Sequence, residues 1–202
     1  DVCSSDLLVN FIFAGITGVM LATVPVDIHV GNTYFVVGHF HYVIFNTITF
    51  GVFAAIYHWF PKFTGRLLYE SLGKLHFTLT FVGSALNFLP MHWAGLMGMP
   101  RRVASYDPEF ALANVLASLG AFLLGVAIIP FLLNLVSSWV RGETAGPNPW
   151  HAIGLEWLLP SPPPLENFEE HVPTVLHGPY GYGLDRPLVV EEEAYVARAL
   201  QS

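Results

Sequence analysis

His39 and His41 stand either side of Phe40 inside the apolar run Thr33-Tyr34-Phe35-Val36-Val37-Gly38-His39-Phe40-His41-Tyr42-Val43. An imidazole supplies a metal ligand, a proton carrier or a hydrogen-bonding group, and the element that carries it decides among them. Successive residues of a helix advance by ~100°, so a helix would point the two rings ~200° apart, where they cannot share one metal. Each would serve its own partner on its own side. A strand would turn both rings to one face, where they could chelate a single ion.

The rest of the chain points to helices in a membrane. Of the 202 residues, 53% are hydrophobic and only 11% charged, against about 25% charged in a soluble domain. The net charge of -7 reflects acids that lie mostly after Arg141, a property of the tail that gives no support to a nucleic-acid partner. The single cysteine, Cys3, excludes an internal disulfide and every CxxC-type iron–sulfur, zinc or haem-attachment motif. A metal here is held by histidine, by carboxylate or by another chain. Residues 1–7 (DVCSSDL) read as a non-native scar and are set aside. No secretory leader is visible, and no glycine-rich phosphate loop follows a strand.

Four apolar segments reach the ~20 residues that span a bilayer as helix. They run from Leu7 to Val24, from Thr33 to Phe60 with Pro61 as a stop, from about Leu72 through Phe88 to Pro90, and from Phe110 to Val140 with Pro130 as a kink. The runs are continuous rather than alternating, which excludes barrel strands. Gly15 and Gly18 suit close packing of the first segment on another helix. The expected fold is an all-α membrane protein with four transmembrane helices over residues 8–140 and an extended, polar, Pro-rich C-terminal tail over 141–202.

Lys62, Arg66, Lys74 and Arg141 mark the negative side of the membrane. The loops 24–32 and 95–109 then face the other side, which leaves Arg101-Arg102 on the wrong one. Planar guanidiniums in that position suit fixed anions. His39 and His41 lie one to two turns below the same outer end. Haem iron is the natural partner for one imidazole, because the porphyrin fills the in-plane positions. One histidine per face implies two haems flanking one helix, with Phe40 between them and propionates directed at Arg101 and Arg102. Asp27 is a further polar neighbour. His58 and His76 read as snorkelling interfacial residues, His92 as a bond to a haem substituent or water, and His29 as surface. His151, His171 and His177 belong to the tail, and Trp59, Trp93, Trp139 and Trp150 to the interface belt.

Beyond the histidine run, Asp27 to Val43, Trp59-Phe60-Pro61 with Thr64-Gly65, Gly98-Met99-Pro100-Arg101-Arg102, and Leu155-Glu156-Trp157 with Pro162-Pro163-Pro164 closely resemble the C-terminal third of subunit I of the haem–copper terminal oxidases, the cytochrome c oxidase family. The resemblance covers roughly Leu8 to Glu170. It implies the last four helices of a twelve-helix bundle, in an enzyme that reduces oxygen to water and translocates protons. It implies that His39 ligates the high-spin haem of the oxygen-reducing centre and His41 the low-spin haem, that Phe40 separates them, and that Arg101 and Arg102 bind propionates. The ligands of copper B and the second axial ligand of the low-spin haem belong to upstream helices, so this fragment alone is expected to be inactive. The implied partners are those helices, oxidase subunits II and III, the membrane, and cytochrome c or quinol as electron donor. The implied location is a bacterial cytoplasmic or thylakoid membrane.

One departure stands out. The family's His-Asp pair, which binds magnesium or manganese before the Thr-Tyr, is here Gly31-Asn32. Glycine has no ligand atom and asparagine only a neutral oxygen, poor for a hard divalent cation. The magnesium site is expected to be lost, and with it the partner's dinuclear copper, which favours quinol or another donor; His29 compensates at most in part. Nitric oxide reductases share the scaffold and form a remoter alternative. A membrane transporter or scaffold without haem, using the histidines for proton relay, is the competing class.

Overall fold

The computed structural model describes residues 2–152 and 154–168, with side chains from Leu8 onward. The side chains of the 1–7 segment, the tail beyond residue 168, and His171 and His177 lie outside the described residues. Every regular element among the described residues is helical, and Thr33–Pro100 and Arg66–Thr144 meet only as isolated bridges.

Helix α1 (Val2–Ala22) is followed by α2 (Val24–Val30), entered through Thr23 with Pro25 in its first turn. The proline has no N–H to lose there and a φ already set for the helix. The two axes meet at 97°. Helix α3 (Tyr34–His41) begins at Thr33, whose Oγ1 accepts from Phe35 N at 3.2 Å and donates to Val30 O at 2.8 Å. The chain then widens into a π-helical segment (Tyr42–Thr49) and returns to α-helix in α4 (Phe50–Thr64). Helix α5 (Glu70–Leu96) and helix α6 (Ala111–Arg141) complete the set.

Pro61, Pro90 and Pro130 all lie inside helices, so none acts as a stop. Pro61 interrupts only the last turn of α4, which ends at Gly65, where φ is +71°. Two helical stretches, Tyr34–Thr64 and Pro108–Arg141, are long and apolar enough to cross a membrane, and the bent pair Leu8–Ala22 with Val24–Val30 makes a third if taken as one span. Helix α5 has the length, but His76, Asn87 and His92 with a row of hydroxyl side chains dilute its apolar character.

The residues form two compact units. The first comprises Asp1–Ala55 and Glu70–Asn134. Here α1 runs antiparallel to α3 and the π-helical segment, with the Phe13 and Tyr42 rings 4.8 Å apart. Gly95 brings α5 so close to α3 that a side chain there would collide with the backbone of Phe35, and Gly120 does the same for α6 against Asn87. Two apolar clusters fill the interior, Ala94, Met99, Phe110 and Ala113 in one, and Ala14, Tyr42 and Phe88 in the other. His76 is buried between Phe53 and Phe131 rather than snorkelling, with centroids at 4.5 and 4.9 Å.

The second unit comprises Ile56–Tyr69 and Leu135–Ser202. Its described part is an ordered structure, not a trailing chain. Lys62 is 4% exposed, and its Nζ donates to Leu159 O at 2.7 Å, Pro147 O at 2.8 Å and Pro160 O at 3.5 Å. The same ammonium sits 5.1 Å from the Trp157 ring centre. Arg66 Nη1 donates to Gly142 O at 2.7 Å, and Trp150 Nε1 to His58 O at 2.8 Å.

Candidate functional site

His39, Phe40 and His41 occupy the last turn of α3, so the run is helical and the two imidazoles leave the backbone on different sides. His39 turns toward α1. Its Nδ1 lies 2.9 Å from Thr17 Oγ1, and its ring lies over Gly18, where a Cβ would come within 3.0 Å of Cε1. Gly18 thus makes its close contact with an imidazole. His41 turns toward α5, stacked on Phe88 with centroids 5.4 Å apart, and its Nδ1 donates to Val37 O at 2.8 Å.

The carbonyl of Val37 can only accept, so His41 Nδ1 carries a proton, and Nε2 is the nitrogen that can offer a lone pair to a metal. On His39, too, Nδ1 is the nitrogen engaged by the protein. A metal-binding histidine characteristically has one ring nitrogen held by the protein and the other left for the metal. Both rings are partly exposed. The donor set therefore fits one axial imidazole for a haem on each side of α3. Among the described residues no group of three or more His, Cys, Asp or Glu comes together for a metal ion, so any metal held by these residues takes its other ligands from elsewhere. Phe40, between them in sequence, is 38% exposed, with its ring 4.4 Å from that of His41.

The arginines lie at the N-terminal end of the same helix. Thr33 pairs with Pro100, Tyr34 N donates to Met99 O at 2.8 Å, and Arg101 N donates to Asn32 O at 3.2 Å. Gly98, with φ +96°, makes the reversal after α5 that brings this loop back to α3. From Tyr34 to His39 the helix rises ~7.5 Å at ~1.5 Å per residue. Arg101 Nη2 also reaches Asn32 Oδ1 at 3.4 Å, while Arg102 is exposed, with φ +63°. A non-glycine residue in the left-handed region is uncommon, and such strain gathers at binding sites. Asp27 and His29 are exposed on α2. His58 lies against Trp150 and Trp157 in the second unit.

Thr17 and Gly18 escape a reading of the sequence, because the hydrogen bond joins positions 22 residues apart. A hydroxyl followed by glycine in an apolar helix is the one visible hint. His92 is more deeply placed than its position near the end of a span suggests. It is 5% exposed and packs on Gly38 among Phe13, Phe35 and Tyr42. Its Nδ1 donates to Phe88 O at 2.8 Å, and its Nε2 has no partner among the described residues.

These features define an apolar helical protein in which one helix presents an imidazole on each of two sides. Residues 5–123, more than half of the chain, match the family described as Cytochrome C and Quinol oxidase polypeptide I, and the chain belongs to that family. It is 56% identical over 180 residues to the cytochrome c oxidase subunit 1 of Thermostichus vulcanus, covering 89% of this chain and 32% of the relative. The subunit 1 of Synechocystis sp. is 55% identical over 186 residues, 92% of this chain and 34% of the relative. That of Corynebacterium diphtheriae is 46% identical over 188 residues, 91% and 33%. The chain thus spans about a third of the length of these relatives. A solved heme-copper terminal oxidase dimer superposes with a TM-score of 0.60 at 26% identity, over 69% of this chain and 26% of that one.

Proposed function

We propose that this chain is the C-terminal third of the catalytic subunit of a respiratory terminal oxidase, an oxidoreductase that reduces oxygen to water and couples the reaction to proton translocation. The observation that carries the reading is the pair of imidazoles on one helix, each with Nδ1 engaged. His39 would hold the high-spin haem and His41 the low-spin haem. When bound, these haems supply the electron transfer and the oxygen chemistry. The protein's part is to hold each Nε2 as a lone-pair donor, to keep Phe40 between the two sides, and to present Arg101 and Arg102 to the propionates. Copper B is held by upstream helices, so the fragment alone is inactive.

In this reading residues 8–140 provide four spans, with α5 as the polar-lined one, and complete a twelve-helix bundle with the upstream helices. Residues 141–202 form the tail, while residues 2–7, read from the sequence as part of a scar, run directly into α1, and the family match begins at residue 5. Subunits II and III are the partners, in a bacterial cytoplasmic or thylakoid membrane.

The magnesium site is absent in this proposal. Gly31 cannot be exchanged for a ligand without moving Asp27, since a Cβ there would lie 2.7 Å from Asp27 Oδ1, and Asn32 Oδ1 is taken up by Arg101. That favours quinol or another donor over cytochrome c. Two measurements on the intact complex test the reading. Pyridine haemochrome and optical spectra are expected to give two haems per subunit I, one high-spin and one low-spin, and a haem-free complex would refute the oxidase assignment. Metal analysis is expected to find no stoichiometric magnesium or manganese; one ion per complex at the Gly31-Asn32 loop would restore the site.

A further inference from the structure

We propose that Thr17 is a positioning residue for His39, whose hydroxyl fixes the ring's tautomer and sets the donor strength of Nε2. The inference rests on the reading of His39 as a haem ligand. Thr17 is 5% exposed, so its single hydroxyl proton must find a partner within the protein. Its Oγ1 lies 2.9 Å from Ala14 O and 3.2 Å from Phe13 O, both carbonyls of its own helix. Those oxygens can only accept, so the proton goes to them. The lone pair of Oγ1 is left facing His39 Nδ1 at 2.9 Å. Two lone pairs facing each other at that distance would repel, so Nδ1 carries the hydrogen and Nε2 is the ligand atom.

Polarisation along the chain from carbonyl to hydroxyl to imidazole strengthens the last hydrogen bond and makes Nε2 more basic. Gly18, the next residue, leaves the ring edge the room it needs. His41 differs in kind. Its Nδ1 is held by the Val37 carbonyl, a backbone group that substitution does not remove. The same helix therefore carries one ligand held by its own backbone and one that meets a side chain of another helix beside the Ala14 carbonyl, and it is the side chain's share that a single substitution removes.

The test uses the full-length oxidase with Thr17→Val, Thr17→Ser and His39→Ala. The readouts are the iron–histidine stretching band of the ferrous high-spin haem by resonance Raman and the midpoint potentials of both haems. Thr17→Val is expected to move the band to lower frequency and raise the high-spin potential, leaving the low-spin haem unchanged. Thr17→Ser is expected to match the parent. Should Thr17→Val fail to assemble, Thr17→Ala reads the same hydrogen bond with less bulk. If the band and potential do not move while His39→Ala abolishes the band, Thr17 has no such role and the assignment of His39 stands. If His39→Ala retains the band, the assignment of His39 fails and the inference with it.

Discussion

Lys62, almost fully buried, and the partly exposed histidines of α3 satisfy their polar atoms to different extents. Lys62 has three N–H donors, and its three acceptors are carbonyls of the chain's own 147–160 segment, with the face of Trp157 beside it. Nothing is left over. His39 and His41 have two ring nitrogens each, and in each case it is Nδ1 that the protein engages. A buried polar group with all its partners is a clamp. One held on one side only is prepared for a ligand.

Packing and ligation come apart in single variants. Gly95→Ala drives a methyl into the Phe35 backbone at the top of α3 and should destabilise the first unit by about 3 kcal/mol or more. The expected outcome is loss of assembled oxidase and of both haem signals together. Parent-like thermal stability would mean that α3 and α5 are less tightly apposed than described.

Lys62→Met keeps the bulk and removes the donors, leaving three carbonyls unpaired at a cost of about 2–3 kcal/mol. Limited proteolysis of the 142–160 segment should accelerate about 100-fold while both haem spectra stay intact. A changed haem spectrum with unchanged proteolysis would reverse the roles assigned to the two regions.

The smallest effect concerns an exposed pair. Lys74 Nζ contacts Glu70 Oε1 at 2.7 Å and, by hydrogen bond and charge, holds that carboxyl below its usual range. A depressed acid contributes stability above its unfolded pKa, ~4.3 for glutamate, and loses it as the pH falls through the folded value. The thermal stability of Lys74→Ala should be close to the parent at neutral pH and converge with it in acid. A difference that grows in acid would contradict the sign.

Much of this was legible in the residues. The continuous apolar runs excluded strands and so placed His39 and His41 on different sides of one helix. The paired arginines pointed to the beginning of that helix, where the Thr33–Pro100 bridge holds the arginine loop. Two prolines misled. Pro61 and Pro90 read as helix ends, yet each is carried inside its helix, because in apolar surroundings continuing the other backbone hydrogen bonds outweighs the one lost; Pro130 lies within its helix as the sequence implied. The π-helical widening after His41 has no local signal. Lys62 and Thr17 were opaque for another reason, since their partners lie 85 to 98 and 22 residues away and become neighbours only through the fold.

The most direct test is the haem content of two single variants of the full-length oxidase, His39→Ala and His41→Ala, read by optical and EPR spectroscopy. The prediction is that each loses one signal and keeps the other, the high-spin haem with His39 and the low-spin haem with His41. If His41→Ala retains both signals, or if either variant alone removes both from a correctly assembled complex, the assignment of one haem to each side of α3 is wrong.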